Sequence, residues 1–579
     1  MAHDYDVIVI GGGHNGLVAA TQLARQGRRV IVLERRAAAG GRLAAYSPFP
    51  GYTASPCFDD PGRLRAQVEK ELALARRGLR WRNADPLVLA PSPDHGKSSL
   101  ALWRNEAAAC AEIARFSRRD AERWPEYQKV MRKAASFGEQ IQEMAPPELD
   151  TTDPSQLLEA GRLGLRFRML GRDDMVTLMR LATMTMTDWL DEWFETPVLK
   201  AALAAPALMG GFVGPWGPAT AGLLAWHQAA GVGEIPVGGT SAVVRTLLEA
   251  SQAAGVEVRT WADVASLETS NGRVSGVRLA DGTVLAAPLV VADVDPRRSL
   301  LPLLPTGSVP AEYLHDLRSI KSRGICARMF IALRELPRFA CLEASETARL
   351  GGRIHFGASL RDVEEAFDDA KYGRWSKRPL IEMHIPSLHD TNAAPEGQHL
   401  LSLTVASAPC TLSGGKSWSA ERDAFKANVL ETLAPYITNL RDAMIDSTVL
   451  TPADLESEYG LGGGHLYHGE LALDQLFVSR PIGKSPRYAS PLPGLYLTGA
   501  GTHPAGAATG ASGYLCAREI ELTDETAGEG RGRNRRIVTT AVGVGLALVG
   551  AGLAARGAMQ KLKQTNDSAE ASAEEGGQR

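Results

Sequence analysis

Tyr5-Asp-Val-Ile-Val-Ile-Gly11-Gly-Gly13-His14-Asn15-Gly16-Leu-Val-Ala-Ala20, continued by Val30-Ile-Val-Leu-Glu34, decides how this chain begins to fold. Val7 to Ile10 is an apolar run that ends in Gly-x-Gly-x-x-Gly. After it, Leu17, Ala20, Leu23 and Ala24 share one helical face. The pattern is strand, tight turn, helix. Gly27 supplies a helix stop, Val30 to Leu33 reads as a second buried strand, and Glu34 stands at its end. Each glycine meets a different physical need. Gly11 permits the turn, Gly13 lets a pyrophosphate approach the backbone, and Gly16 lets helix and strand pack closely. Glu34 would accept hydrogen bonds from a ribose diol and repel a 2'-phosphate. His14 and Asn15 inside the turn, and Arg35 beside Glu34, join these residues as candidate cofactor contacts. The βαβ context makes this a dinucleotide site.

Two further glycine clusters extend that reading. Gly40-Gly41-Arg42 follows the acidic residue, where a turn can carry backbone past a ribityl chain while arginine meets a phosphate or a ring oxygen. Near the other end, Leu495 to Thr498 reads as a strand delivering Gly499-Ala500-Gly501-Thr502-His503-Pro504, with a helix from near Gly510 to about Leu522. That helix N-terminus is a second place where backbone N–H groups can meet an electron-rich ligand. Between these ends, Leu289 to Ala292 reads as a buried strand returning to the first sheet, after short β runs punctuated by Asn271-Gly272 and Asp281-Gly282. Thr240 or Ser241 is the expected N-cap of a helix through Leu247.

The region from about 86 to 230 is read as helical, over Asn105 to Phe137, Ser155 to Leu170 and Met175 to Phe194. Its tryptophans and methionines, including Met169, Met175, Met179 and Trp216, are expected to fill a core, with a roomy apolar cavity as the alternative. Residues 310–480 mix β runs with a helix over Glu421 to Leu433, a sheet with covering helices.

A chain of 579 residues requires more than one core, and a net charge of −3 gives no electrostatic case for nucleic acid. The six cysteines form no Cys-x-x-Cys or metal-ligand spacing, which fits a reducing, cytoplasmic setting. His465 and His468 with Glu470 lack a convincing third ligand, so no metal is expected. No secretory signal opens the sequence. Residues 537–555 form an uncharged stretch that as a helix spans about 28 Å, close to a hydrocarbon core of about 30 Å. A single C-terminal transmembrane anchor is the preferred reading; a buried helix and a disordered tail are the alternatives.

Together, GGGHNGLVAA with Glu34, Gly40-Gly41-Arg42, Pro236-Val-Gly-Gly239, Ala292-Asp-Val-Asp-Pro296 and LYLTGAGTHPAGAATGASG resemble the phytoene desaturase-like flavoproteins, the carotenoid/retinoid oxidoreductase family. The resemblance covers nearly all of residues 4–520. It implies an α/β protein with a Rossmann-type FAD-binding domain assembled from separate segments (1–85, 231–309 and 481–522). A substrate domain with a mixed sheet and helices would occupy 86–230 and 310–480. Beyond it a basic linker (523–536), the anchor and a disordered tail (556–579) are expected. The resemblance further implies that Gly11, Gly13 and Gly16 cradle the FAD pyrophosphate, and that Glu34 holds the adenosine ribose. Gly40, Gly41 and Arg42 would flank the ribityl region, and Val264 would pair with adenine through its backbone. Gly499 to Thr502, with Gly501 and Gly510, would close over the flavin. Ala500 stands where many two-nucleotide flavoproteins carry aspartate, which favours the desaturase branch. The stretch after His503 departs from the phytoene desaturase pattern.

No second strand–Gly-x-Gly-x-x-Gly–helix unit for a nicotinamide is present, so electrons are expected to leave to oxygen or a quinone. The expected enzyme is an FAD-dependent oxidoreductase taking hydride from a hydrophobic, isoprenoid- or lipid-like substrate, with His503 as the candidate group near the flavin. His503 has an equal claim to be a loop histidine that caps backbone groups. The competing functions are a flavin amine oxidase and a membrane-tethered flavoprotein acting as a regulatory or assembly partner.

Overall fold

The computed structural model describes residues 3–92, 98–483, 485 and 487–529. Four consecutive apolar residues need cover on both faces. The strand Val7–Ile10 obtains it in the middle of a five-stranded sheet. The order across that sheet is Leu495–Leu497, Leu289–Ala292, Val7–Ile10, Val30–Leu33 and Glu257–Arg259, every pair parallel. The helix His14–Arg25 packs against the helix Gly239–Ala253. On the opposite side Ile8, Ile10, Ile31 and Leu33 meet a three-stranded antiparallel meander, Val264–Ser270, Arg273–Leu279 and Val284–Ala286. Asn271 and Gly272 both have positive φ (52° and 71°), as a tight hairpin between right-twisted strands requires.

A second sheet has seven strands in the order Met444–Leu450, Cys326–Leu333, His399–Ala406, Ile381–His384, Arg353–Phe356, Val88–Pro91 and Ser99–Leu102. Its pairings are antiparallel except between Arg353–Phe356 and Val88–Pro91. Alternation sends Met329, Ile331, Leu401, Leu403, Ile381 and Met383 to one face. There they pack with Phe425, Val429 and Leu433 of the helix Trp418–Leu433. The opposite face is polar where the same strands run side by side. Register places Arg328 beside Thr404, Thr404 beside Glu382, and Glu382 beside His355. These buried groups pair in part: Arg328 Nη2 donates to Asp59 and Ser402 at 2.7 Å each, and His355 Nδ1 lies 2.7 Å from Glu382, while Arg328 Nε and His355 Nε2 have no partner among the described residues.

Several sequence expectations are corrected. Val88–Pro91 and Ser99–Leu102, in the stretch read as helical, are strands of the larger sheet. The helix expected over Asn105 to Phe137 is two, Glu106–Ala114 and Arg118–Gln142, because the Asn105 and Ser117 side chains each cap a new N-terminus. The last helical run likewise breaks into Arg172–Thr183 and Met186–Trp193, where Thr185 caps Asp188 N–H. Neither Thr240 nor Ser241 caps the helix Gly239–Ala253; it begins from Gly238 in a left-handed conformation without a side-chain cap. Trp189 is in the core, but Met169, Met179 and Trp216 are exposed. The final helix, Ala511–Glu529, continues through the first residues of the expected linker. The stretch 537–555 lies outside the described residues, and among those described no helix is long and apolar enough to cross a membrane.

Candidate functional site

The N-terminus of the helix His14–Arg25 opens onto a cavity of about 460 Å³. Gly11, Gly13, His14, Asn15, Glu34, Arg35, Gly41, Arg42 and Val264 all line it, from strand ends and turns far apart in sequence. Glu34 is held at its strand end by two backbone donors. Gly12 N–H meets its Oε2 and Arg36 N–H its Oε1, both at 2.9 Å. Next to it the cavity is walled by Ala262, Asp263, Val264 and Tyr459, and the Arg36 guanidinium lies 4.2 Å over the Tyr459 ring. Arg35 reaches the Glu458 carbonyl.

Gly40 sits at φ 126° and gives its N–H to the Gly12 carbonyl at 2.7 Å, which binds the second glycine turn to the first. A Cβ there would come within 3.0 Å of Val244, so only glycine fits. Arg42, in the short turn that follows, is buried. Its Nη1 donates to the Leu466 carbonyl at 2.6 Å, and its guanidinium lies over both Phe58 (5.2 Å) and Tyr467 (5.6 Å), which stack on each other.

Asp293 is the centre that the sequence reading passed over. Its Oδ2 accepts the Gly16 N–H at 2.8 Å across the sheet. A Cβ built on Gly11, Gly13 or Gly499 would lie about 2.4–2.5 Å from an Asp293 oxygen. The glycines of both turns therefore make room for this aspartate. Burial pushes its carboxyl up to about 6, against the Gly16 N–H and the Arg42 charge. Asp295, also pushed up to about 6 by burial, accepts N–H bonds from Arg297, Arg298 and Gly462 and so fixes another wall. The Ala-Asp-Val-Asp-Pro run that closes the returning strand was the signal for both.

Ala500 and His468 also line the cavity. Arg480, fully buried, donates to the carbonyls of Tyr467, Gly469, Glu470, Gln475 and Ala500, binding the His465–Glu470 loop to the Gly499–Thr502 turn. Thr502 does not face the cavity. Its hydroxyl, that of Thr498 and the Gly499 N–H all meet Ser512 Oγ. Gly501 is pressed against Pro296 and His468, and Gly510 against Leu64, Val18 and Val68, so these two shape the turn and its packing. His503 does not line the cavity. Its Nε2 lies 2.9 Å from the Ile141 carbonyl, Phe477 and Trp226 pack on its ring, and burial pushes its pKa down to about 3.

Four buried nitrogens at the cavity have no partner among the described residues: His14 Nε2, Arg36 Nη1, Arg42 Nη2 and His468 Nδ1. Leaving such groups unpaired costs about 1–3 kcal/mol each, so a ligand rich in acceptors fits here. Burial and the neighbouring Arg42 push His14 down to about 3, so its ring is neutral and the cations are the arginines. An acidic clamp at one end, a helix N-terminus in the middle and unpaired arginine donors along the wall suit an adenosine ribose joined to a pyrophosphate. Among the described residues no cluster could hold a metal ion.

A family model described as FAD binding domain matches residues 6–292. Pyridine nucleotide-disulfide oxidoreductase domain-containing protein 2 of Rattus norvegicus is 31% identical over 541 residues, covering 89% of this chain and 93% of the relative. Phytoene desaturase (lycopene-forming) of Pantoea ananas is 25% identical over 518 residues, covering 87% of this chain and 96% of that one. A solved oxidoreductase from Methanosarcina mazei shares the fold. Its TM-score is 0.55 at 15% identity, and the match covers 89% of this chain and 99% of that structure.

Proposed function

Because this chain belongs to the FAD-binding oxidoreductase family, we propose that it is a desaturase- or dehydrogenase-like enzyme that takes hydride from a hydrophobic, isoprenoid- or lipid-like substrate. In this reading FAD extends from the Glu34 end of the cavity to the Ala500 end, where it supplies a two-electron acceptor for the substrate C–H bond. Residues 1–85, 231–309 and 481–522 hold the cofactor, and 86–230 with 310–480 hold the substrate. Glu34 accepts the ribose hydroxyls, and Gly11 to Gly16 with His14 and Asn15 meet the pyrophosphate. Arg35 stands at the adenosine end, Arg42 with Gly40 and Gly41 faces the ribityl region, and Val264 offers its backbone to adenine. Gly499 to Thr502 and Gly510 form the turn beside the ring.

The observation that carries the substrate class is the apolar cluster beneath the Arg42 guanidinium. Phe58 and Tyr467 stack 5.5 Å apart there, and Leu208, Leu224, Leu466 and Leu471 belong to the same buried cluster. Such a cluster orients an apolar chain and excludes water. In this reading His468 receives the proton that leaves with the hydride. Its Nδ1 is unpartnered, and burial with Arg42 and Arg480 holds its pKa well below 6.5, so the ring is neutral. The electrons pass on to oxygen or a quinone. The apolar stretch 537–555 serves in this reading as a membrane anchor, and deleting 537–579 should release the chain from membranes.

The deciding experiment is anaerobic titration of the yellow protein. Bleaching of the flavin absorbance by an isoprenoid-rich lipid extract, and not by primary amines, is expected. Bleaching by amines alone would replace this reading with amine oxidation.

A further inference from the structure

The helices Pro154–Met169 and Arg172–Thr183 are poorly covered. No residue of the first is buried, and of the second only Leu181 is. Leu163, Phe167 and Leu170 are half-buried, and Phe167 meets Phe137 at 5.6 Å, so one side already has its apolar partner. The other side carries a second apolar set. Leu165 is 60% exposed, Met169 76%, Val176 49% and Met179 60%. At 100° per residue Leu165 and Met169 share one outward face, as do Val176 and Met179 on the next helix. Arg162 and Arg166 flank the first pair on one side and Arg168 on the other, and Arg172 opens the second helix.

The charges separate this surface from an ordinary solvated one. Arg180 pairs with Glu192 and Lys133 with Asp174, but Arg162, Arg166, Arg168 and Arg172 have no partner among the described residues. Long apolar side chains ringed by unneutralised guanidinium groups match one kind of surface, in which acyl chains lie under a layer of phosphates. Trp216 adds to it. It is 54% exposed on a loop whose Ala219 N–H bonds the Thr183 carbonyl at the end of the second helix, and tryptophan suits the boundary between headgroups and chains.

We propose that residues 162–180 form a docking element for an anionic bilayer surface. Leu165, Met169, Val176 and Met179 enter the acyl boundary, and Arg162, Arg166, Arg168 and Arg172 hold lipid phosphates. This holds whatever the substrate, and it is separate from any anchor at 537–555.

The test uses the full chain with vesicles of phosphatidylcholine alone or mixed with phosphatidylglycerol, read by flotation and by backbone hydrogen exchange. Mixed vesicles should slow exchange across 162–180, and Arg162→Gln/Arg166→Gln/Arg168→Gln should weaken binding at least about tenfold. Leu165→Glu/Met169→Glu should abolish the protection while the flavin spectrum stays unchanged. Equal binding to phosphatidylcholine alone would overturn the role of the arginines. Protection that needs no vesicles and grows with protein concentration would assign the surface to a second copy of the chain. Full vesicle binding by both variants, with 162–180 exchanging as in the free protein, would assign it to the C-terminal segment. Either of the last two results overturns the proposal.

Discussion

Asp293 shows how one side chain organises the nucleotide turn. The glycine spacing announces a tight turn that accepts a phosphate, yet the nearest obstacle to a side chain at Gly13 is Asp293 Oδ2, 2.5 Å from the Cβ position. Gly13→Val should therefore expel FAD by pushing this carboxylate into the cavity. The expected result is loss of the flavin absorbance while the far-ultraviolet dichroism keeps its shape; retained flavin would count against the site. The aspartate also has a pH signature. Its folded pKa, about 6, lies above its ordinary value of 3.8, so the native state holds the proton more tightly than the unfolded chain. Its contribution is fully present below about pH 4 and is lost as pH rises through about 6. This group should thus add about 1 kcal/mol to the stability of the flavin-free protein on acidification from pH 7 to 5, against the loss over the same range from buried histidines such as His14 and His503, both held at about 3. Asp293→Asn should lose that increment, so that in thermal melts the variant falls further than the wild type between pH 7 and 5. The glycines were legible because a turn writes its needs into neighbouring residues. Asp293 was not, because its partner Gly16 lies 277 positions away.

At the scale of elements, the strands of the first sheet could be read because runs buried on both faces are uniformly apolar, and Leu289–Ala292 and Leu495–Leu497 are as plain as Val7–Ile10. Arg353–Phe356 and Met444–Leu450 could not, since a buried histidine in the first and an exposed Ile445 beside Asp446 in the second break the alternation that marks a strand. The meeting of two helix N-termini was half legible. Gly510 to Gly513 announced a helix start, but its reason is a close approach: a Cβ on Gly513 would lie 2.1 Å from the Asn15 carbonyl oxygen. Gly513→Ala should force the helices His14–Arg25 and Ala511–Glu529 apart, costing about 1–3 kcal/mol by urea unfolding and weakening FAD binding. Ser512→Ala should act more mildly. It removes the one hydroxyl that meets Thr498, Gly499 N–H and Thr502, leaving the Gly499–Thr502 turn without its support. A loss of about 1–2 kcal/mol in stability is expected, with faster release of FAD in stopped-flow dilution.

At the scale of the molecule, the large sheet and the amino-terminal segment are held together by a charge placed where charges are costly. Arg328 is completely buried on Cys326–Leu333, the strand next to one edge of the sheet, and Asp59, which it binds at 2.7 Å, arrives on the chain that leaves the Gly40–Arg42 turn. Ser402 and Thr404 on the adjacent strand take up further donors of the same guanidinium. A buried pair of this kind contributes little net stability against an apolar pair of equal shape, but losing one partner strands the other. It therefore acts as a register pin: a slip of Cys326–Leu333 by one residue would turn Arg328 into the apolar cluster of Met329 and Ile331. Sequence periodicity cannot reveal such a pin, because its members are scattered from Asp59 to Thr404 and each looks like a misplaced polar residue in an apolar run. Asp59→Ala, which leaves the guanidinium alone, should cost about 3–5 kcal/mol in urea unfolding. Arg328→Met combined with Asp59→Leu should recover most of that loss, because both charges leave together. If the single variant is no less stable than the double, the pair does not hold the sheet to the nucleotide turn.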